Sequence, residues 1–181
     1  GDIIFAGTCR EEGSGSLGGI KYLLNEHPEI KADLSVDGGG FTNICFNATG
    51  IRTKRFSFHG KSGHSFGHFG EIAQTPHALG RAIAAISDLV VPEEPRSCFA
   101  VTSVTGGTFE GLHAIPEECS FIINYRSNDP EVLATIEQQV ENCVKEACEK
   151  ENAKWNLKVL KISEISSLRM LSRNLTNREQ M

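Results

Sequence analysis

The sequence contains no long apolar run. Its longest uninterrupted stretch, Ala82 to Ile86, is five residues, against the roughly 20 needed to cross a bilayer, so no membrane partner is expected. A basic excess is missing too: 18 Lys and Arg stand against 23 Asp and Glu, a net charge of -5. That balance argues against a nucleic-acid partner, whose phosphates call for a basic surface. None of the six cysteines (Cys9, Cys45, Cys98, Cys119, Cys143 and Cys148) forms a Cys-x-x-Cys pair, and most sit inside apolar patterns. They read as reduced thiols in a cytoplasmic core. No basic leader precedes an apolar segment at the start; Gly1-Asp2-Ile3-Ile4-Phe5 reads as a chain entered in mid-strand and not as a signal peptide. With 39% hydrophobic and 23% charged residues the chain is a folded one, not a disordered one.

Residues Asp2 to Thr8 form a short β-branched run, expected to be a buried strand. A loop, Glu11-Glu12-Gly13-Ser14-Gly15-Ser16, leads into a helix over Leu17 to Glu26, and Ala32 to Val36 is a second expected strand, ending at Asp37-Gly38-Gly39-Gly40. Strand, loop, helix, strand implies a parallel sheet with its functional loops at the strand C-termini. From Ile51 the pattern changes. A strand over Ile51 to His59 is followed by a Gly/His/Ser loop and a helix capped by Thr75-Pro76, with Leu79, Ala82, Ile83, Ile86, Leu89 and Val90 at helical spacing. Strands over Ser97 to Thr105 and Glu118 to Arg126 follow. Asp129-Pro130 then caps a helix carrying Val132, Leu133, Ile136, Val140, Val144 and Ala147, and Trp155 to Ile162 is the last expected strand. The order βαββαβ is that of a ferredoxin-like domain. The expected fold is therefore α/β: a partial parallel-sheet domain over 1–50, a ferredoxin-like domain over 51–163, and an unassigned tail over 164–181.

Three carboxylates follow the first two strands: Glu11, Glu12 and Asp37. Loops past parallel strands converge on one edge, where one carboxylate can ligate a divalent ion while another takes a proton from bound water. A solvated turn is the plain reading of either segment alone. The loop from Gly60 to His68 can place an imidazole over an open site to hold an oxyanion. His59, His64 and His68 as a separate metal site, or as incidental surface residues, are the alternatives. Arg126 can take a substrate carboxylate in bidentate fashion or simply form a surface salt bridge.

These motifs, in this order, resemble the family of co-catalytic zinc peptidases and deacylases, which includes peptidase T, carboxypeptidase G, acetylornithine deacetylase, succinyl-diaminopimelate desuccinylase and aminoacylase. The likeness spans roughly residues 1–163. Arg10-Glu11-Glu12-Gly13 is similar to the paired-glutamate motif, which makes Glu11 the general base and Glu12 a metal ligand. The stretch ending at Asp37-Gly38-Gly39 resembles the next ligand motif in its peptidase T-like form, so that Asp37 would bind zinc. Gly63-His64-Ser65 resembles the lid loop whose His crosses a dimer to stabilise the tetrahedral intermediate, a catalytic role that falls to His64. Gly106-Gly107-Thr108 and Ile115-Pro116 resemble two further motifs, with His113 where many members carry a substrate-binding Asn. Arg126 matches the Arg that holds a substrate's terminal carboxylate.

The resemblance implies a cytoplasmic metallopeptidase that hydrolyses amide bonds in short peptides, with N-acyl amino acid deacylation as the alternative within the family. It would hold two Zn2+ per complete active site, with Co2+ or Mn2+ as substitutes, and form a homodimer through its lid, or dimerisation, domain. Zinc would acidify a bridging water, Glu11 would carry its proton to the leaving amine, and His64 of a partner would bind the oxyanion. The family's remaining ligands, a His and a bridging Asp before this region and a His after it, have no counterpart here, so the chain is expected to be an incomplete unit, inactive alone. Two readings compete with it: a non-catalytic dimerisation module from a truncated or degraded paralogue, and an unrelated ferredoxin-like metal or ligand binder.

Overall fold

A computed structural model describes residues 2–12, 17–36, 49–154 and 161–170. The chain divides into two compact units, Thr49–Ser167 and a second composed of Gly1–Ala48 with Leu168–Met181.

In the second unit the described residues form one helix, α1 (Gly18–Glu26). Its first backbone N–H groups are satisfied by the chain before it: Leu17, Gly18 and Gly19 donate to the carbonyls of Glu11, Arg10 and Cys9 at 3.1, 3.0 and 3.0 Å. This close approach requires Gly19, since a Cβ there would run into the Cys9 backbone. The turn places Arg10 and Leu17 in the left-handed region, at φ 59° and 58°. The strands expected over Asp2 to Thr8 and Ala32 to Val36 carry no ladder hydrogen bonds among the described residues, and the expected parallel pairing is not formed there. The reason is physical: a strand is defined by its neighbour, and here Ile3, Ile4, Phe5, Leu34 and Val36 are all exposed.

The larger unit follows the βαββαβ order. Its elements are β1 (Gly50–His59), β2 (Gly63–His64), α2 (Thr75–Ser87), β3 (Ser97–Gly106), β4 (Ala114–Ile115), β5 (Glu118–Ser127), α3 (Pro130–Lys154) and β6 (Lys161–Met170). Four strands form one sheet in the order β3-β5-β1-β6, while β2 and β4 pair separately. The β1–β5 and β3–β5 pairs are antiparallel. Side chains alternate along a strand, so β1 sends Phe56 and Phe58, and β5 sends Cys119, Phe121, Ile123 and Tyr125, into the helix-covered core. Phe56 and Phe121 are register partners and stack with ring centroids 5.4 Å apart. The opposite face is polar along the middle strands, where the Asn124 amide donates to Thr53 Oγ1 at 2.8 Å and the hydroxyls of Thr105 and Ser120 share a bond of 2.8 Å.

Both helices close the core with the residues that the 3.6-residue period selects. From α2 come Ala78, Leu79, Ala82 and Ile86, and from α3 Leu133, Ile136, Val140, Val144 and Ala147. Each large side chain buried this way contributes about 1.5–3 kcal/mol. Two expectations fail at helix ends. Thr75 does not cap α2; Gln74 occupies that position, and the Thr75 hydroxyl donates to the Pro116 carbonyl at 2.7 Å. Val90 lies beyond the end of α2 and is 89% exposed. Asp129 does cap α3, accepting from the N–H groups of Glu131 and Val132 at 2.8 and 3.0 Å. The last described strand is Lys161–Met170, which the expected strand over Trp155 to Ile162 meets at Lys161 and Ile162; residues 155–160 lie outside the described residues. It is an edge strand, and an edge needs few apolar residues.

Charge ties the layers together. Lys54, on the helix side of β1, meets Glu137 at 2.8 Å and Glu141 at 2.7 Å, and Arg52 also pairs with Glu137. Glu151 of α3, fully buried, accepts from the Gln74 N–H at 3.1 Å and from Arg81 at 2.8 Å, with His77 Nδ1 at 3.5 Å. It thereby fixes the start of α2, just past the histidine-rich loop.

Candidate functional site

The loop after β1 is held to the segment before β5 by a run of short contacts. Gly60 N–H donates to the Glu117 carbonyl at 2.9 Å, the Ser62 hydroxyl to that of Ile115 at 3.0 Å, and Ser65 N–H to that of His113 at 2.7 Å. Between them β2 and β4 pair, with Gly63 opposite Ile115 and His64 opposite Ala114. Gly63 is needed because a Cβ would press on Ile72 and the His68 ring.

This pairing brings His64 and His113 together, their ring centroids 5.9 Å apart. His64 Nδ1 faces the backbone N–H groups of Phe66 and Gly67, each at 3.3 Å, and acts as acceptor to both. In its neutral form the ring therefore carries its proton on Nε2, as a donor. His68 Nδ1 in turn accepts from the His64 N–H at 3.1 Å. Beside the two rings lies a shallow depression of about 350 Å³, whose lining includes His64, His113, Leu112 and Glu110. A donor imidazole at the rim of an open depression can stabilise developing negative charge on a bound carbonyl oxygen.

Arg126 stands elsewhere. It lies at the far end of β5, paired with Ile51 and Cys98, while the His64 loop packs at the Glu118 end. Arg126 lies eight positions beyond Glu118, about 27 Å of strand at 3.4 Å per residue. Arg126 Nε donates to Asn124 Oδ1 at 3.0 Å. His64 and Arg126 of one chain therefore do not converge on one small ligand.

Glu11 and Glu12 are exposed at the turn into α1, where the positive end of the helix dipole favours carboxylates. Asp37 lies outside the described residues. A zinc centre takes three or four protein ligands, and among the described residues no group of three or more His, Cys, Asp or Glu could hold a metal ion. The described residues alone do not fit a di-zinc centre, and that also holds for His59, His64 and His68 as a separate site. Of the cysteines, Cys119 and Cys148 are buried as expected, whereas Cys9 and Cys98 are exposed. Burial pushes the Cys119 thiol up, opposed by its hydrogen bond from Thr75 and reinforced by Glu118; burial likewise raises Cys148. No helix among the described residues is long and apolar enough to cross a membrane.

Reading the sequence misses Glu110 and Glu151. Glu110 sits among the glycines of the Gly106 to Pro116 stretch, and the depression it lines with His64 depends on a pairing of two-residue strands that leaves no pattern.

Comparison with known proteins places this architecture. Among solved structures, the chain is similar to an aminobenzoyl-glutamate utilization protein from Klebsiella pneumoniae, with 13% identity and a TM-score of 0.56 over 66% of this chain and 28% of that one. It is similar to a hydantoinase/carbamoylase family amidase from Burkholderia multivorans, with 17% identity and a TM-score of 0.54 over 67% of this chain and 28% of the other. Aminopeptidase PepT from Bacillus cereus gives 10% identity and a TM-score of 0.52 over 65% of this chain and 29% of that enzyme. The chain thus spans under a third of the length of each of these structures. No curated protein sequence matches it. The pattern of the peptidase dimerisation domain matches residues 46–152. That match takes in more than half of the chain, which belongs to the peptidase dimerisation domain family.

Proposed function

We propose that the Thr49–Ser167 unit is the dimerising lid of an amide-bond hydrolase acting on short peptides, and that it pairs with a second copy of itself. The observation that carries this is the open sheet edge at β3. Its ten residues contain neither charge nor proline. Edges that stay unpaired are normally guarded by charges, so β3 is the edge suited to receive another strand. Helix α2 also offers a surface of small residues: Gly80, Ala84 and Ser87 are exposed on it, and a Cβ at Gly80 would meet open space. Joining two copies about a two-fold axis satisfies both edges at once.

In such a dimer His64, its Nδ1 held by the backbone N–H groups of Phe66 and Gly67, would serve the partner's site by stabilising the oxyanion through Nε2–H, with His113 beside it. Arg126, at the other end of β5, would face a different site. Glu11, Glu12 and Asp37 would be this chain's contribution to its own catalytic half, with Glu11 as base; zinc at that half would need ligands beyond the described residues. The second reading is a dimerisation module without hydrolysis of its own, which the match of the peptidase dimerisation domain over residues 46–152 also supports.

Sedimentation of the chain at tens of micromolar tests the dimer. Wild type should run as a dimer, and Gly80→Arg and Val104→Lys, both at exposed positions, should run as monomers with unchanged circular dichroism. A monomeric wild type, or dimeric variants, would refute the proposal.

A further inference from the structure

His64 is held by its own loop and not by the strand it faces. In the β2–β4 ladder the Ser65 N–H donates to the His113 carbonyl at 2.7 Å. Successive N–H groups along an extended strand point to opposite sides, so the His64 N–H is turned away from β4. It finds its acceptor within the loop, in Nδ1 of His68 at 3.1 Å. The His68 N–H returns to the His64 carbonyl at 3.0 Å, and the two residues close a tight turn with one bond in each direction. The His68 ring lies against the bare Cα of Gly63, where a Cβ would come within 3.0 Å of its Cγ and Nδ1. Inside the turn so closed, the N–H groups of Phe66 and Gly67 meet Nδ1 of His64, each at 3.3 Å.

Resting on the lid function proposed above, in which His64 stabilises the oxyanion, we infer that His68 is a positioning residue that sets the orientation and the proton of the His64 ring. All of these bonds lie within one chain, so they act on His64 whichever copy's site it serves. Nδ1 of His64 is engaged as an acceptor only while the turn holds Phe66 and Gly67 beside it, and the proton of the neutral ring then sits on Nε2, the nitrogen left for a ligand. Without the His68 acceptor the turn keeps its backbone bond alone. Water then competes for the two donors, and the proton divides between the ring nitrogens. Two substitutions separate the acceptor from the packing. His68→Asn puts an oxygen on Cγ, the place that Nδ1 takes in histidine, and keeps the bond to the His64 N–H. His68→Phe keeps a ring over Gly63 and removes the acceptor.

The test is nitrogen-15 nuclear magnetic resonance of the full chain at about pH 8.5, where histidine is ordinarily neutral, reading the His64 ring nitrogens and the exchange of its amide. Wild type and His68→Asn should each show one protonated and one unprotonated nitrogen at His64, with the proton on Nε2. In His68→Phe the two nitrogens should move toward a common shift, and the His64 amide should exchange about fivefold faster, the size of effect of one hydrogen bond. A proton already divided in wild type, a single Nε2–H form that persists in His68→Phe, or His68→Asn behaving as His68→Phe does would each overturn the inference. Sedimentation of the same samples reports the dimer separately. A dimer whose His64 proton is indifferent to His68 refutes the positioning role and leaves the lid function standing, whereas a monomer whose His64 proton follows His68 refutes the dimer alone.

Discussion

Replacing Glu151 tests how the histidine loop is held. Alanine there removes the acceptor of the Gln74 N–H, a bond of 3.1 Å, and the partner of Arg81 at 2.8 Å. A buried donor left without an acceptor costs about 1–3 kcal/mol, and the space vacated by a buried side chain adds roughly 1 kcal/mol. Arg81 is 38% exposed and can turn to water, so its loss is worth at most about 1 kcal/mol. Against these, the cost of holding a carboxylate out of water disappears. The net for Glu151→Ala is a loss of about 3 kcal/mol. Glu151→Gln keeps the shape and one acceptor oxygen, and should lose about 1 kcal/mol. For a unit of this size 1 kcal/mol moves the melting temperature by about 3–6 °C. Thermal and urea unfolding followed by far-ultraviolet circular dichroism should therefore separate the two variants clearly. A Glu151→Ala protein within about 0.5 kcal/mol of wild type, or no less stable than Glu151→Gln, would refute the reasoning.

Lys54→Met should cost about 2–3 kcal/mol in urea unfolding, because it leaves Glu137 and Glu141 facing each other without their shared cation; adding Glu137→Gln and Glu141→Gln should restore most of it. Gly106→Ala drives a Cβ into the Cys119 thiol and should cost about 1–3 kcal/mol, and a double-mutant cycle with Cys119→Ala should show the two sites to be coupled. Iodoacetamide should label Cys9 and Cys98 in the folded chain and reach Cys119 and Cys148 only on unfolding, as read by mass spectrometry. Burial raises the folded-state values of those two buried thiols, so stability should fall as pH climbs past the ordinary thiol value of about 8.5. There the unfolded chain begins to give up protons that the folded chain still keeps; urea midpoints at pH 7 and pH 10 would measure the difference.

The two long helices were legible because packing against a sheet demands an apolar stripe. Leu79, Ala82 and Ile86, and Leu133 through Ala147, fall on that stripe and are buried. The middle strands were legible too, from β-branched and aromatic runs between turns. What escaped depends on partners remote in sequence. Thr75 has the composition of a helix cap, yet its hydroxyl is drawn to Pro116, across 41 residues. Val90 continues the α2 period past the point where the helix stops at Asp88. At the candidate site, His64 and His113 were singled out separately, but their meeting rests on the β2–β4 pairing. Arg126 reads in sequence as a neighbour of His113, thirteen residues away, and an extended strand turns that short spacing into a wide separation.

The register of the central strands also carries a kinetic consequence. β1 pairs with β5, so the nearest partners, His59 and Glu118, are joined by the whole of β2, α2, β3 and β4. The hairpin of β3 and β5 and the two helices can form from local contacts, but the middle of the sheet must wait for that long loop to close. The entropy of closure is spent before the Phe56–Phe121 stack returns any of it. The chain should therefore fold slowly for its size, and until β1 docks, β5 has a second open edge beside it, free to pair with the wrong strand.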